Sequence, residues 1–143
     1  MTDAPIPVHV HYHRERRELE LIYAAEASHA EQPAQQDDLG RDHYHLPIEL
    51  LRVYSPSAEV QGHSPDQAVL QVGKRGVGLL NITPAGRYAL KLHFDDGHDS
   101  GLFTWPYLYT LAREQADWWQ RYLDALKAKG ASRDPKAIHI TRA

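Results

Sequence analysis

Hydrophobic and polar side chains alternate with a period of two residues near the start of the chain. In the segment 8–23 (VHVHYHRERRELELIY) the polar positions include His9, His11 and His13. Such alternation predicts one long strand, or two short strands, with one face in water. The segment 87–94 (RYALKLHF) repeats the pattern, with Tyr88, Leu90, Leu92 and Phe94 expected to share one face.

Shorter signals predict further strands and a tight turn. The segment 43–54 indicates a short strand, followed by a turn of helix that starts at Pro47. Strand-like pieces in 67–83 are interrupted by glycines. Asp96 and Gly97 form the pair favoured in a two-residue hairpin turn, because both central residues of that turn need a positive φ.

Segments without periodicity mark the loops and the boundaries. Two prolines and a glycine make 55–65 a loop. The segment 25–42, rich in Ala, Gln, Glu and Asp, is interpreted as an inserted mobile loop. We therefore expect a single domain over 8–130, with tails at 1–7 and 131–143.

The period changes to that of a helix near the C-terminal end. Thr104 can cap the helix, Pro106 suits its first turn, and Gly130 supplies a C-terminal stop. Apolar side chains lie at helical spacing in between, at Leu108, Leu111, Ala112, Trp119, Tyr122, Leu123 and Leu126. The predicted fold class is α+β: a mainly antiparallel sheet built from hairpins, with one long C-terminal helix packed on it.

Composition excludes several classes of function. The 143 residues carry a net charge of −3 and no cysteine, so disulfides, thiolate nucleophiles and cysteine-ligated zinc are ruled out. The basic residues are scattered, which argues against a nucleic-acid partner. No apolar run approaches the roughly 20 residues of a membrane helix, and MTDAPIPV does not resemble a secretory signal. We expect a cytoplasmic protein that binds neither nucleic acid nor membrane.

The stretch 95–105 (DDGHDSGLFTW) contains the three residue types of a hydrolytic triad, as His98, Asp99 and Ser100. Triads are assembled from residues far apart in sequence, and the serine is one place too late for a G-x-S-x-G elbow. A small hydrolase is therefore a remote alternative, and we expect a protein that is not an enzyme.

Histidines at alternate positions suggest a second class of function. Imidazoles that share one face of a strand can hold a metal ion, provided that the strands pair in the right register. A solvated strand face explains the same spacing. The alternative hypothesis is thus an iron- or zinc-binding protein that uses His9, His11, His13, His43, His45, His63 and His98.

Two motifs carry a family resemblance. LRVYSPSAEVQGH at 51–63 and DGHDSGLFTW at 96–105 stand in the order and spacing of the gamma-butyrobetaine hydroxylase N-terminal-like domain family, a family of domains of unknown function. The chain resembles that family from about residue 8 to residue 135, in a cysteine-free form. The resemblance implies no catalysis, because the hydroxylase chemistry belongs to a separate, larger domain that this chain is too short to include.

In the hydroxylase branch of that family, three cysteines and one histidine hold a structural zinc ion. By position these ligands fall on Ser55, Ser57, Val60 and His98, so only the histidine is retained. We therefore expect no metal there and no cofactor, with His98 forming hydrogen bonds to the 55–60 loop. Related domains look to be fused to iron–sulfur cluster carrier ATPases, and this resemblance implies an accessory role in the maturation of iron–sulfur or metalloenzymes.

The leading hypothesis is a non-catalytic binding or adaptor domain for an unidentified protein partner. Polar residues on loops motivate it, since binding residues concentrate on loops held by a rigid scaffold. The expected binding surface consists of Arg52, Tyr54, Ser55, Ser57, Glu59, His63, His98 and Asp99.

Overall fold

A computed structural model describes residues 4–25, 35–61 and 68–135 of the chain. The elements in these residues follow the order β1 (His9–His13), β2 (Glu18–Tyr23), β3 (Gln35–Gln36), β4 (Asp42–Pro47), α1 (Ile48–Val53), α2 (Ala58–Gln61), β5 (Leu79–Ala85), β6 (Ala89–Phe94), β7 (Leu102–Thr104) and α3 (Trp105–Lys129). The predicted α+β class with antiparallel strands and a long C-terminal helix is confirmed. The strands form two sheets, of four and three strands.

The four-stranded sheet has the order β1-β2-β4-β3, and each pairing in it is antiparallel. The segment 8–23 thus forms two short strands, one of the two arrangements that its alternation predicts. Glu20 lies opposite His11 on one side and His45 on the other. Because side chains alternate between the faces of a strand, Leu19, Leu21 and Tyr23 point to the opposite face and are fully buried.

The three-stranded sheet has β6 at its centre, paired with β5 and β7. Leu90, Leu92 and Phe94 are buried on one face, as the alternation predicts. Tyr88 is 69% exposed and does not share that face. The prediction is wrong there because β6 begins at Ala89, which leaves Tyr88 in the turn before the strand.

Helix α3 has the predicted ends. The Thr104 hydroxyl accepts a hydrogen bond from the Tyr107 N–H, and Pro106 lies in the first turn. Gly130 takes a left-handed conformation with φ 61°, and its N–H binds the Leu126 and Lys127 carbonyls. Helical geometry is interrupted once inside α3, at Glu114, where φ is −109°.

One hydrophobic core unites the two sheets with α1 and α3. Its fully buried members come from all of these elements: Leu19, Leu21, Tyr23, Leu46, Ile48, Leu51, Leu92, Phe103, Leu108 and Leu111. A smaller cluster joins Val53 of α1 to Tyr122 and Leu126 of α3. The sheets and helices are therefore fixed relative to one another by apolar burial, and the polar loops at their ends inherit defined positions.

Three segments differ from the structure expected for them. Within 55–65 the short helix α2 forms after Ser57, whose carbonyl accepts the N–H groups of Val60 and Gln61. Within 25–42, β3 pairs with β4 and is joined to it by a turn, whereas 26–34 lie outside the described residues. In 67–83, strand structure among the described residues begins only at Leu79.

The hairpin between β6 and β7 closes with a three-residue turn, so the predicted two-residue turn is wrong. The Gly97 N–H donates to the Phe94 carbonyl at 3.2 Å, and the Phe94 N–H donates to the His98 carbonyl at 3.0 Å. Gly97 takes a positive φ of 89°, whereas Asp96 does not. This is the turn in which a left-handed glycine follows two ordinary residues.

The start of the predicted tail 131–143 packs against the rest of the protein. The Ser132 and Arg133 carbonyls accept hydrogen bonds from the N–H groups of Gly73 and Arg75. Arg133 also binds both carboxylate oxygens of Glu49, at 2.8 and 2.6 Å. Residues 136–143 lie outside the described part of the chain. None of the described helices combines the length and the apolar character needed to cross a bilayer.

Candidate metal centre and the loop predicted to bind a partner

Part of the expected binding surface is buried inside the protein. Arg52, Ser55, Ser57 and His98 are at most 7% exposed, so these four residues are buried. Asp99 is exposed. Tyr54 is half-buried, and its hydroxyl donates to the Trp118 carbonyl of α3 at 2.7 Å. His63 and the side chain of Glu59 lie outside the described residues.

A buried hydrogen-bond cluster lies where the resemblance implies a zinc site in the hydroxylase branch. His98 Nε2 lies 2.9 Å from Ser55 Oγ and 3.3 Å from Ser57 Oγ. The His98 hydrogen bonds to the 55–60 loop are thus observed. Val60 is 5% exposed and offers no donor atom. Two neutral hydroxyls and a valine do not fit a tetrahedral zinc ion, which needs thiolate, imidazole or carboxylate ligands.

A charged contact joins helix α1 to the β6–β7 hairpin. Asp96 Oδ2 accepts hydrogen bonds from Arg52 Nε and Lys74 Nζ, both at 2.8 Å. Burial raises the pKa of Asp96, but the bonds from Lys74, Arg52 and the His98 N–H outweigh it and lower the pKa to about 2. Asp96 is therefore an anion at neutral pH, and the contact holds α1 against the β6–β7 turn.

The triad arrangement at 98–100 has no accessible reaction site. His98 is buried and bonded to Ser55 and Ser57, whereas Ser100 is exposed. The pairing of Ser55 with His98 is a serine–imidazole contact, but Ser55 has no exposed surface from which to attack a substrate.

The outer face of the four-stranded sheet carries a dense array of imidazoles and carboxylates, which we call the imidazole–carboxylate face. It consists of His9, His11, His13, Glu18, Glu20, Asp37, His43 and His45. Adjacent rings on β1 are in contact, with centroids of His11 and His13 4.5 Å apart. The rings of His13 and His45 lie 5.7 Å apart across β2. The strand register therefore brings two of the histidine-rich segments to one place.

Within this face, His13, Glu20 and His45 form a group that could hold a metal ion. One ligand atom from each lies within 4.8 Å of the other two. His13 Nε2 is 2.8 Å from Glu20 Oε1, and His45 Nε2 is 3.5 Å from Glu20 Oε2. Metal bonds of about 2.0–2.2 Å require ligand atoms roughly 3.3 Å apart, so the group closes on an ion with shifts of at most about 1.5 Å.

One ring nitrogen of this group lacks a hydrogen bond. His45 Nδ1 is buried and has no hydrogen-bond partner within the described part of the chain. Glu18 Oε1 lies 3.7 Å away, too far for a hydrogen bond. Metal-bound histidines usually donate their second ring N–H to a carboxylate. Glu18 therefore stands close to the position from which it would support His45 as a ligand.

The electrostatics of Glu20 favour a cation. Burial opposes ionisation of Glu20, but its hydrogen bonds with His43 and His13 and the nearby charge of His45 outweigh that effect. Together they lower the pKa of Glu20 to about 2. At this pKa the carboxylate is anionic at neutral pH. The side chain is 13% exposed, so the carboxylate is partly shielded from water, and it lies between imidazoles. A metal ligand must be deprotonated, and Glu20 is so throughout the physiological range.

Sequence reasoning identified the histidines of this site but not its carboxylates. The alternation in 8–23 places Glu18 and Glu20 on the polar face of the predicted strands, so these two carboxylates could have been predicted from the sequence. Asp37 was not foreseeable, because it lies in a segment without periodicity and reaches the face only through the β3–β4 turn. His98 lies in the buried loop cluster and not on this face, and His63 lies outside the described residues.

Comparison with known proteins gives a family match and several similar solved structures. The family described as gamma-butyrobetaine hydroxylase-like, N-terminal, matches residues 10–109. Two solution NMR structures are similar at 47% identity (98% of each chain, TM-score 0.72) and at 42% identity (99% of this chain, 95% of the other, TM-score 0.71).

A third similar structure is a crystal structure of a protein of unknown function of the DUF971 family from Acidithiobacillus ferrooxidans. It shares 28% identity over 78% of this chain and 98% of its own, with a TM-score of 0.55. No curated protein matches the chain.

Proposed function

The chain belongs to the gamma-butyrobetaine hydroxylase-like N-terminal family, and we propose that it is a non-enzymatic domain that binds a divalent transition-metal ion on the imidazole–carboxylate face. The family is one of small domains of unknown function and is distinct from a catalytic hydroxylase domain. The observation that carries the proposal is the grouping of His13, Glu20 and His45 within 4.8 Å across three strands.

The donor set indicates which metals are suited. Two imidazoles and one carboxylate are the ligands of zinc and of ferrous iron, whereas calcium takes six to eight oxygen ligands and magnesium an octahedron of them. Three protein ligands leave at least one position open. His13 and His45 are 25% and 27% exposed, so that position faces solvent. These features support an exchangeable ion rather than a structural one.

The adaptor hypothesis has less support. Four of its eight predicted contact residues are buried, and their polar atoms bind one another or the β6–β7 hairpin. An accessory role in iron–sulfur or metalloenzyme maturation would therefore depend on the metal site and not on the 52–63 loop.

The proposal is tested by equilibrium dialysis of untagged, metal-stripped protein against Zn²⁺, followed by elemental analysis. We expect one Zn²⁺ per chain, and a loss of binding in the H13A/H45A double variant. The H93A variant is the matched control, because His93 is similarly exposed at 26% but lies on the other sheet. Zinc at background level in the unmodified protein, or equal binding in H13A/H45A, would show that the proposal is wrong.

A further inference from the structure

A continuous line of charged hydrogen bonds leads away from the metal group to the β3–β4 turn. Glu20 Oε2 lies 2.6 Å from His43 Nδ1, and His43 Nε2 lies 2.8 Å from Asp37 Oδ2. Arg41 Nε donates to the same Asp37 oxygen at 2.6 Å. Both ring nitrogens of His43 are thus engaged by carboxylates. His43 bridges Glu20 and Asp37 and could bind a metal ion only by breaking one of these contacts.

The far end of this line is anchored by its own turn. Asp37 Oδ1 accepts hydrogen bonds from the N–H groups of Leu39 at 2.9 Å and Arg41 at 3.0 Å. The turn is closed further by the Gly40 N–H, which donates to the Asp37 carbonyl, and Gly40 has a positive φ of 75°. Oδ1 is therefore committed to the backbone, and Oδ2 is left pointing at His43. The position of Asp37 does not depend on the metal group.

The two oxygens of Glu20 are divided between different partners. Oε1 lies 2.8 Å from His13 Nε2, whereas Oε2 lies 2.6 Å from His43 Nδ1 and 3.5 Å from His45 Nε2. A glutamate on a strand surface has several rotamers, and fixing one of them costs side-chain conformational entropy. The contact with His43 holds Glu20 in one rotamer before any ion arrives. It also leaves Oε1, which lies 2.8 Å from His13 Nε2, outside the contact with His43.

We propose that His43 and Asp37 are positioning residues of the metal site, which hold Glu20 so that it binds the ion through Oε1 alone. This inference rests on the proposed function. His43 restrains Oε2, Asp37 fixes the ring of His43, and the β3–β4 turn fixes Asp37. The arrangement is the carboxylate–histidine support that outer-shell residues give to metal ligands, here applied to a ligating carboxylate.

The test compares H43A, H43N and D37N with the unmodified protein. Zn²⁺ affinity is measured by competition with a chromophoric chelator, and ligand geometry by the visible absorption of the Co²⁺-loaded protein. Asparagine places an amide N–H near the position of Nδ1, so H43N retains a donor to Glu20. D37N keeps Oδ1 for the turn but replaces Oδ2 with an amide group that cannot accept from His43. H93A is again the matched control.

We expect H43A to weaken Zn²⁺ binding by about 10- to 100-fold, the usual effect of losing an outer-shell partner. Its Co²⁺ absorption should change because Glu20 is free to bind through both oxygens. H43N should restore most of the affinity and the original spectrum. D37N should have a smaller effect in the same direction, and H93A none.

Three outcomes would overturn the inference. Equal affinity and an unchanged Co²⁺ spectrum in H43A would show that His43 does not act on Glu20. A loss in H43A that H43N does not restore would identify His43 as a ligand. Equal losses in H43A and H93A would indicate a general effect on folding. Failure of the proposed function is distinguishable, because the unmodified protein would then bind neither ion.

Discussion

At Gly101 the chain has no room for a side chain. A β-carbon at this position would overlap Ser55 Oγ and would lie 3.2 Å from Pro56 Cδ. Ser55 is fully buried and bonded to His98, so it cannot move without breaking that hydrogen bond. The close approach of β7 to the 55–57 loop therefore depends on a glycine, for reasons of space and not of backbone angle.

We predict that G101A lowers the free energy of unfolding by about 1–3 kcal/mol, the range for overpacking a well-packed site. S55A removes the nearest obstructing atom. The double variant S55A/G101A should therefore be more stable than the sum of the two single effects predicts. Urea unfolding of the four proteins measures this coupling. Additive effects would mean that Ser55 is not what excludes a side chain at 101.

At the same scale, local patterns predicted the ends of α3 but not the ligands of the metal group. Thr104 and Gly130 act through their own backbone and near neighbours, and such effects are readable from a short window. The grouping of His13 with Glu20 and His45 depends on β2 lying between β1 and β4. That order is set by packing of distant segments, which a local pattern does not contain.

The β6–β7 hairpin shows how a side chain can decide the geometry of an element. An aspartate before a glycine favours a two-residue turn with positive φ at both positions. Here Asp96 Oδ1 accepts the His98 N–H at 3.2 Å, and Oδ2 binds Arg52 and Lys74. Those three contacts are made with Asp96 in an ordinary backbone conformation. Gly97 alone takes the positive φ, and the turn lengthens to three residues.

We predict that D96N lowers the free energy of unfolding by about 1 kcal/mol at neutral pH, after allowance for solvent screening. The pKa of Asp96 falls from 3.8 to about 2 on folding. Its stabilising contribution is thus complete above pH 4 and is lost as the pH falls through 2.

Urea unfolding of D96N and the unmodified protein between pH 2 and pH 7 tests this prediction. The difference between the two proteins should shrink as the pH falls below 4. D99N is the matched control, because Asp99 is exposed on the same hairpin and lies outside the contact of Asp96 with Arg52 and Lys74. A difference that is constant across this range would contradict the ionic role of Asp96.

For the whole molecule, the two sheets differ in what they present outwards. The four-stranded sheet buries one face in the core and presents the imidazole–carboxylate face on the other. The sequence predicted a mainly antiparallel sheet and one long helix, and both are present. It did not predict two separate sheets. Strand-like pieces interrupted by glycines were expected in 67–83, whereas the described residues form no strand there before Leu79.

A metal ion bound to His13, Glu20 and His45 would join β1, β2 and β4. We predict that Zn²⁺ at 100 times its dissociation constant stabilises the protein by about 2.7 kcal/mol, which corresponds to a rise of roughly 5–10 °C in the melting temperature. Excess chelator should reverse the rise. Differential scanning calorimetry provides the measurement, with H13A/H45A as the variant that should not respond. An equal rise in H13A/H45A would show that the ion stabilises the protein from elsewhere.

The most direct test of the central claim is an NMR titration of the imidazole ring nitrogens with Zn²⁺. The account predicts that ring-nitrogen signals of His13 and His45 shift and saturate at one equivalent, whereas those of His93 and His98 do not change. No shift at His13 and His45 at one equivalent, or shifts confined to His9 and His11, would contradict the claim that the imidazole–carboxylate face binds metal through His13, Glu20 and His45.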